Sequence, residues 1–295
     1  MEHPGIARLW DAGRTQDGQP FFAMELVRGE PITTFCQAGS LGLHERLALF
    51  VAVCEAVQHA HEKGVLHRDL KPSNLLAFGS VGDCTVKIID FGIAKALEVT
   101  LGDEPATGPL TSLHQTVGTP GYMSPEQSAW GVTVVDTRSD LYALGVVLYE
   151  LLTGFTPLQI ERRARDESQH WPVARDISPP SKRAGPLLQT SNQRRDLDAI
   201  IMKALEIDPQ RRYASAAALA EDLQRHLRDE PVLAGAASWT YVMEKFARRH
   251  RPLVISGTIA LLSVVAGLAV STVLFSRNST PTPRWSKRSA ISSTR

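Results

Sequence analysis

The 295-residue chain is 43% hydrophobic and 21% charged with a formal net charge of +1, so it can bury one large core and is not a disordered chain. The near-neutral balance excludes a broad basic surface for nucleic acid. Three widely spaced cysteines, Cys36, Cys54 and Cys84, include no Cys-x-x-Cys and support neither a disulfide framework nor a zinc site, which fits a reducing cytosol.

Glu2, His3 and Pro4 stand where a signal peptide would need an apolar run, so no leader is expected. Ile6 to Trp10 and Pro20 to Val27 read as two strands joined by a turn containing Asp17-Gly18. Such a pair is marginal alone, and Ile6, Leu9, Phe21 and Phe22 are expected to lack cover. From Gly42 the apolar positions Leu43, Leu47, Phe50, Cys54 and Val57 recur at spacings of three and four, predicting one buried helical face that ends near Gly64. His59, His61 and His67 follow this helix and its exit loop, which argues against a metal set.

The octet His67-Arg68-Asp69-Leu70-Lys71-Pro72-Ser73-Asn74 places a carboxylate, an ammonium and a carboxamide at offsets 0, 2 and 5. A tight loop can aim all three into one space. Phosphoryl transfer needs those groups: a carboxylate to orient a hydroxyl and take its proton, positive charge beside the phosphoryl group, and an amide oxygen for Mg²⁺. Val86-Lys87-Ile88-Ile89-Asp90-Phe91-Gly92 then reads as an apolar strand delivering a second carboxylate on a glycine turn.

Together these two segments resemble the catalytic loop and the Asp-Phe-Gly segment of the eukaryotic-like protein kinases, and Lys71 is similar to the serine/threonine branch. The resemblance is to the membrane-anchored bacterial members. It implies an α+β, protein-kinase-like fold, mainly the helical C-lobe with a two-strand N-lobe remnant, followed by one transmembrane helix. It implies ATP and Mg²⁺ as cofactors, Asp69 and Lys71 as catalytic residues, and Asn74 and Asp90 as metal ligands. The strand Phe21 to Val27 resembles the one leading into the hinge between lobes. Met24 would then be the gatekeeper, and the backbone of Glu25 to Val27 would hydrogen-bond the adenine. His67 matches a residue packed beneath the catalytic loop, and Arg68 the arginine that binds an activation-loop phosphate.

After Gly92 a polar stretch to Gln115, with Pro105, Gly108 and Pro109, is similar to an activation loop with a small insertion; Thr111, Ser112 and Thr116 are its candidate phosphosites. Val117 to Glu126 resembles the substrate-binding loop, closing on Ser-Pro-Glu where the family has Ala-Pro-Glu. There Thr119 would contact Asp69 and Lys71. Asp136 to Gly145 opens a strongly apolar helix running to about Leu152, with Asp140 placed to clamp the catalytic-loop backbone. Asp208-Pro209-Gln210-Arg211-Arg212-Tyr213 matches the segment whose arginine pairs with the loop glutamate, so an Arg212 to Glu126 ion pair is expected.

Ser215 to His226 reads as an amphipathic helix with Leu219 and Leu223 inward. Trp239, Tyr241 and Phe246, interleaved with Lys245, Arg248, Arg249 and Arg251, read as an interfacial juxtamembrane helix. Leu253 to Phe275 carries no charge and is long enough to cross a hydrocarbon core of about 30 Å. The expected organisation is an N-lobe remnant with the hinge strand over 1–27, a C-lobe over 28–228, a juxtamembrane segment over 229–251, a span over 252–276 and a polar tail over 277–295. Basic residues flank the span on both sides, so orientation follows from chemistry. ATP is cytosolic, which puts the kinase region in the cytoplasm of a protein crossing the inner or plasma membrane once. Protein substrates, ATP, the membrane and a second copy of the chain in a homodimer are the expected partners.

The resemblance covers residues 4 to 228 and lacks its front. The family carries a glycine-rich phosphate loop, a strand lysine and a helical glutamate in about 70 residues before this point, whereas here no Gly-x-Gly-x-x-Gly occurs and the first lysine is Lys63. Two explanations stand side by side. The chain is a piece of a longer serine/threonine kinase, or it is a catalytically inactive pseudokinase scaffold at the membrane.

Overall fold

The computed structural model describes residues 2–17, 19–80, 82–91, 119–128, 136–157, 177–188, 190–235, 241–243, 245 and 251–278. The chain forms two compact units, Met1–Val242 and Met243–Arg295.

Strands β1 (Leu9–Arg14) and β2 (Pro20–Met24) make an antiparallel hairpin, with Ala12 opposite Phe22 and a bulge between Leu9 and Asp11. The first strand starts three residues later than the sequence pattern suggests. Its expected opening pairs elsewhere: Ala7 N–H donates to Ile88 O at 2.8 Å and Ile88 N–H donates to Gly5 O at 2.9 Å. Ile6 is thereby only 4% exposed, against the expectation that it would lack cover, while Leu9, Phe21 and above all Trp10, at 68%, face solvent.

Strand β3 (Glu30–Pro31) leads into α1 (Ile32–Ala38), and α2 (Leu43–Glu62) follows. The predicted stripe Leu47, Phe50, Cys54 and Val57 is fully buried. Arg46, on the same helix, is buried and bonds the carbonyls of Leu41 at 2.9 Å, Leu151 at 2.8 Å and Cys36 at 3.1 Å. A guanidinium that satisfies carbonyls near the ends of other helices ties those ends together, and its charge complements their dipoles.

A single 3₁₀ turn (Pro72–Asn74) delivers β4 (Leu75–Ser80), which pairs with β5 (Asp83–Ile88) so that Leu75 faces Ile88 and Ser80 faces Asp83. Strand β3 completes this sheet on the other side of β4. The tight hairpin requires Gly79, whose φ is +107° and whose position leaves a Cβ 2.3 Å from Asp83 O. Its register matters for the site, because it returns the chain to Ile89 beside Asn74, and Ile89 N–H donates to Asn74 O at 2.9 Å.

The short α3 (Pro125–Ser128) precedes α4 (Thr137–Thr153), which starts on an Asp136 cap accepting from Arg138 N–H at 2.8 Å and ends at Gly154 in the left-handed region. Thirteen of its seventeen residues are buried, so α4 is covered on all faces and is the axis of the lobe. Helix α5 (Ser191–Ala204), capped by Thr190 and Gln193, crosses it where Gly145 lets the backbones approach; a Cβ there would lie 2.9 Å from the Ala204 methyl. Helix α6 (Ala216–Leu227), capped by Ser215, buries Leu219 and Leu223 and packs along α2.

The chain after α6 departs from its reading as a membrane-lying helix at two described positions, Tyr241 and Lys245, the latter only 1% exposed. Tyr241 is buried in the first unit, with its hydroxyl on Asp196 at 2.8 Å. Its phenol needs a hydrogen-bond partner when buried and finds a carboxylate within the lobe. Trp239, Phe246, Arg248 and Arg249 lie outside the described residues. In the second unit, α7 (Arg251–Asn278) contains Ile255–Phe275, 21 residues of mean hydropathy 2.3. By length and composition it can cross a membrane. Its hydroxyls bond its own backbone, Ser263 to Ile259 O at 2.9 Å and Thr272 to Ala269 O at 2.8 Å.

Candidate active site

The octet His67 to Asn74 is held from below by one carboxylate. Asp140, fully buried on the first turn of α4, accepts from His67 N–H at 2.9 Å, from Arg68 N–H at 2.9 Å, and meets His61 Nε2 at 2.8 Å. Burial alone would raise its pKa, but the His61 bond, the nearby His67 ring and the His67 N–H outweigh that and hold it below the ordinary value of 3.8. The His67 ring lies edge-on to Phe91, 4.7 Å between centroids. Its Nε2 meets Ile89 O at 3.1 Å and its Nδ1 accepts from Asp69 N–H at 3.3 Å. A carbonyl only accepts, so Nε2 carries the hydrogen. Burial pushes the pKa of this imidazole down, which keeps it neutral in that tautomer.

On this base the three polar groups converge. Lys71 Nζ is 2.6 Å from Asp69 Oδ2 and 2.9 Å from the Thr119 hydroxyl. Thr119 in turn donates to Asp69 Oδ1 from its N–H at 3.0 Å and its hydroxyl at 3.1 Å. The Asn74 amide donates to Asp69 O at 2.9 Å, which fixes the carboxamide. Arg68 and Asp90 both adopt left-handed backbone, φ +69° and +63°, a conformation costing about 1–2 kcal/mol for a residue with a Cβ. The long-range bonds around them hold it in place.

The substrate-side loop is braced twice. Glu126 takes a two-pronged pair from Arg212, 2.6 Å and 2.8 Å, and accepts from the Ser139 hydroxyl at 2.9 Å. The Arg212 side chain is wholly buried, and it also bonds the carbonyls of Glu206, Arg138 and Ile207 while lying 5.0 Å from the Tyr142 ring centre. Burial tends to raise the Glu126 pKa, yet the Arg212 bond prevails and holds it below its ordinary value of 4.5. The second brace is Gln127, whose oxygen accepts from Ser124 N–H at 3.0 Å and hydroxyl at 2.9 Å and whose amide reaches Arg68 O at 3.4 Å.

Thr111, Ser112 and Thr116 lie outside the described residues. Met24 closes β2, while Glu25 N–H donates to Arg8 O at 2.8 Å and the Glu25 carboxylate pairs with Lys87. Leu26 and Val27 follow outside any helix or strand. The Glu25–Lys87 pair borders a recess of about 550 Å³ lined also by Ile6, Arg8 and Trp10, and by no catalytic-loop residue. Sequence reading missed His61 and Gln127. The first carried a signal, because His61 continues the buried stripe at Leu47, Phe50, Cys54 and Val57, and a polar side chain at such a position demands a partner.

Asn74, with its amide hydrogen already committed to Asp69 O, and Asp90 at the hairpin's return offer oxygen donors of the kind a hard cation takes. These residues fit Mg²⁺. Magnesium bound there would neutralise charge on phosphate oxygens. The residues before the octet contain no Gly-x-Gly-x-x-Gly.

A kinase lobe is the class this fold and site define. The protein-kinase-domain family model matches residues 1–224. The chain is 35% identical over 228 residues to a probable serine/threonine-protein kinase of Corynebacterium efficiens, 76% of this chain and 32% of that one. It is 36% identical over 229 residues to the serine/threonine-protein kinase PknB of Mycolicibacterium smegmatis, 76% and 34% of the two. With PknB of Mycobacterium tuberculosis it shares 34% over 235 residues, 78% and 34%. The chain belongs to the protein kinase family, in its bacterial serine/threonine branch. It spans about a third of the length of the curated relatives it matches. Kinases of this family use ATP and a divalent metal.

Proposed function

We propose that this chain carries the catalytic and substrate-binding lobe of a membrane-tethered kinase that transfers the ATP γ-phosphate to serine or threonine hydroxyls of proteins. The observation that carries the reading is the closed cluster of Asp69, Lys71 and Thr119. In it Asp69 orients the acceptor hydroxyl and takes its proton, Lys71 places positive charge beside the transferring group, and Thr119 fixes both. Asn74 and Asp90 hold Mg²⁺, and Met24, Glu25 and Val27 border the adenine. Arg68 binds the phosphate carried by Thr111, Ser112 or Thr116, while Glu126, Asp140 and Arg212 maintain the frame.

α7 crosses the inner or plasma membrane once with the lobe in the cytoplasm, and a second copy of the chain serves as partner in trans autophosphorylation. Asp69, Lys71, Asn74 and Asp90 are all present, and a scaffold would need none of them. The test is phosphate incorporation into serine- and threonine-containing peptides, with ATP and Mg²⁺, by the intact protein isolated from its own cells. The expected result is measurable transfer that Asp69→Asn lowers by about 10²–10⁴-fold. No transfer by the unsubstituted chain, or equal transfer by Asp69→Asn, would overturn the reading.

A further inference from the structure

The segment from Thr119 to Ser128 reaches the catalytic loop at two points. Near its start Thr119 takes the Asp69 side chain, donating to Oδ1 from its N–H at 3.0 Å and its hydroxyl at 3.1 Å. Near its end Gln127, on α3, takes the main chain one residue earlier, its amide nitrogen donating to Arg68 O at 3.4 Å. The direction of the Gln127 side chain is forced. Ser124 is wholly buried and presents two donors to the Gln127 oxygen, its N–H at 3.0 Å and its hydroxyl at 2.9 Å, and a backbone N–H only donates. The amide oxygen therefore belongs to Ser124, and the remaining NH₂ group faces a carbonyl, which only accepts. The serine of Ser-Pro-Glu, standing where the family has alanine, supplies one of those two donors.

We infer that Gln127 is a positioning residue for Asp69, a strut through which the ordered substrate-side loop sets the plane of the Arg68–Asp69 peptide. Its effect on turnover rests on the phosphoryl-transfer reading above; the strut itself does not. The carbonyl of that peptide meets Gln127, and its N–H donates to His67 Nδ1 at 3.3 Å. Arg68, just before it, is in the left-handed region at φ +69°, with its own N–H on Asp140 at 2.9 Å. A residue with a Cβ disfavours that conformation, so the backbone needs fixing on both sides of it. Asp140 fixes the N–H before the twist and Gln127 the carbonyl after it. Rotation of the peptide plane would swing the Asp69 carboxylate away from Thr119 and from the acceptor hydroxyl, and a misplacement of about 1 Å at a reacting group costs up to about 10²-fold in rate. At 3.4 Å the Gln127 bond is a long one, so its effect should be smaller than that of losing Asp69 itself.

The experiment compares the intact protein, produced in its own cells, with two variants. Gln127→Glu keeps an oxygen for both Ser124 donors and loses the NH₂ group, so it cuts the strut alone. Its kcat for a serine-containing peptide should fall about tenfold while KM for that peptide changes less than about twofold. Gln127→Met, of similar length and uncharged, loses the Ser124 contacts as well; its kcat should fall as far and its KM should rise. This second variant separates loss of the bond from gain of a charge. Amide hydrogen exchange, which needs no activity, should show peptides covering 67–71 exchanging severalfold faster in both variants while peptides from α4 stay unchanged. Unchanged exchange at 67–71 in both variants, or a kcat within about twofold of the unsubstituted protein, would overturn the inference. Absence of transfer by the unsubstituted protein would overturn the proposed function alone, and exchange at 67–71 then decides the strut.

Discussion

The front hairpin and the helical base are built on opposite terms. β1 and β2 form a two-stranded sheet with Leu9, Trp10 and Phe21 turned to solvent, whereas the base closes over thirteen buried residues of α4 and answers its buried charges with multiple bonds each. The hairpin holds on mainly by its entry, where Gly5 to Ala7 zip onto Ile88 and Gly5 packs so close to α2 that a Cβ would stand 3.1 Å from the Ala56 methyl. The difference teaches where this fold can be perturbed. Side chains in the base are committed to partners in other elements, and those at the hairpin's outer surface are committed to few.

Arg212→Ala tests the committed side most severely. It leaves Glu126 buried without its cation and strips three carbonyls of a donor, so it should lower unfolding free energy by about 3–5 kcal/mol, read as a shift in the chemical-denaturation midpoint. An unchanged midpoint would show the pair to be idle. Acid should act next, through Glu126 and Asp140, whose pKa values are both held below the ordinary 4.5 and 3.8. Carboxylates depressed in this way contribute stability that is complete above those ordinary values and is lost as pH falls through the lower, folded-state values. His67, held neutral with its pKa below the ordinary 6.5, should make the midpoint begin to fall as pH drops below about 6.5, and the two carboxylates should steepen the fall below about pH 4; a midpoint flat from neutrality to about pH 4 would show His67 to contribute nothing. Leu26→Ser, at a position 77% exposed beyond β2, is expected to stay within about 0.5 kcal/mol of the unsubstituted chain. A larger loss would mean that the front surface has a cover of its own.

Much of the site could be written from the sequence because its parts lie close along the chain. Asp69, Lys71 and Asn74 share one loop, and a single hairpin register brings Ile89 and Asp90 back beside them. The pairing of Glu126 with Arg212 spans 86 residues and was accessible only through the family's pattern. What stayed hidden were partners chosen by packing. Nothing in the apolar periodicity of α2 says that His61 meets Asp140, and nothing in Ser-Pro-Glu-Gln says that Gln127 leans on Arg68. Ile6 was assigned to the hairpin because alternation cannot distinguish a strand from a bridge made to another sheet. Tyr241 reads as interfacial because aromatic and basic residues interleave around it as they do in interfacial helices, while its burial on Asp196 is decided by packing.

The Asp140 anchor also has a bearing on how this molecule assembles itself. Its bonds to His61, His67 and Arg68 join positions 79, 73 and 72 residues apart. Contacts that distant reward the chain only after long loops have closed, which belongs late in folding. The ordered loop thus depends on α2 and α4 being docked together. Interactions absent from the folding transition state govern how fast a protein comes apart rather than how fast it forms. The carboxylate beneath the active site is, in that sense, a determinant of the lifetime of the organised loop.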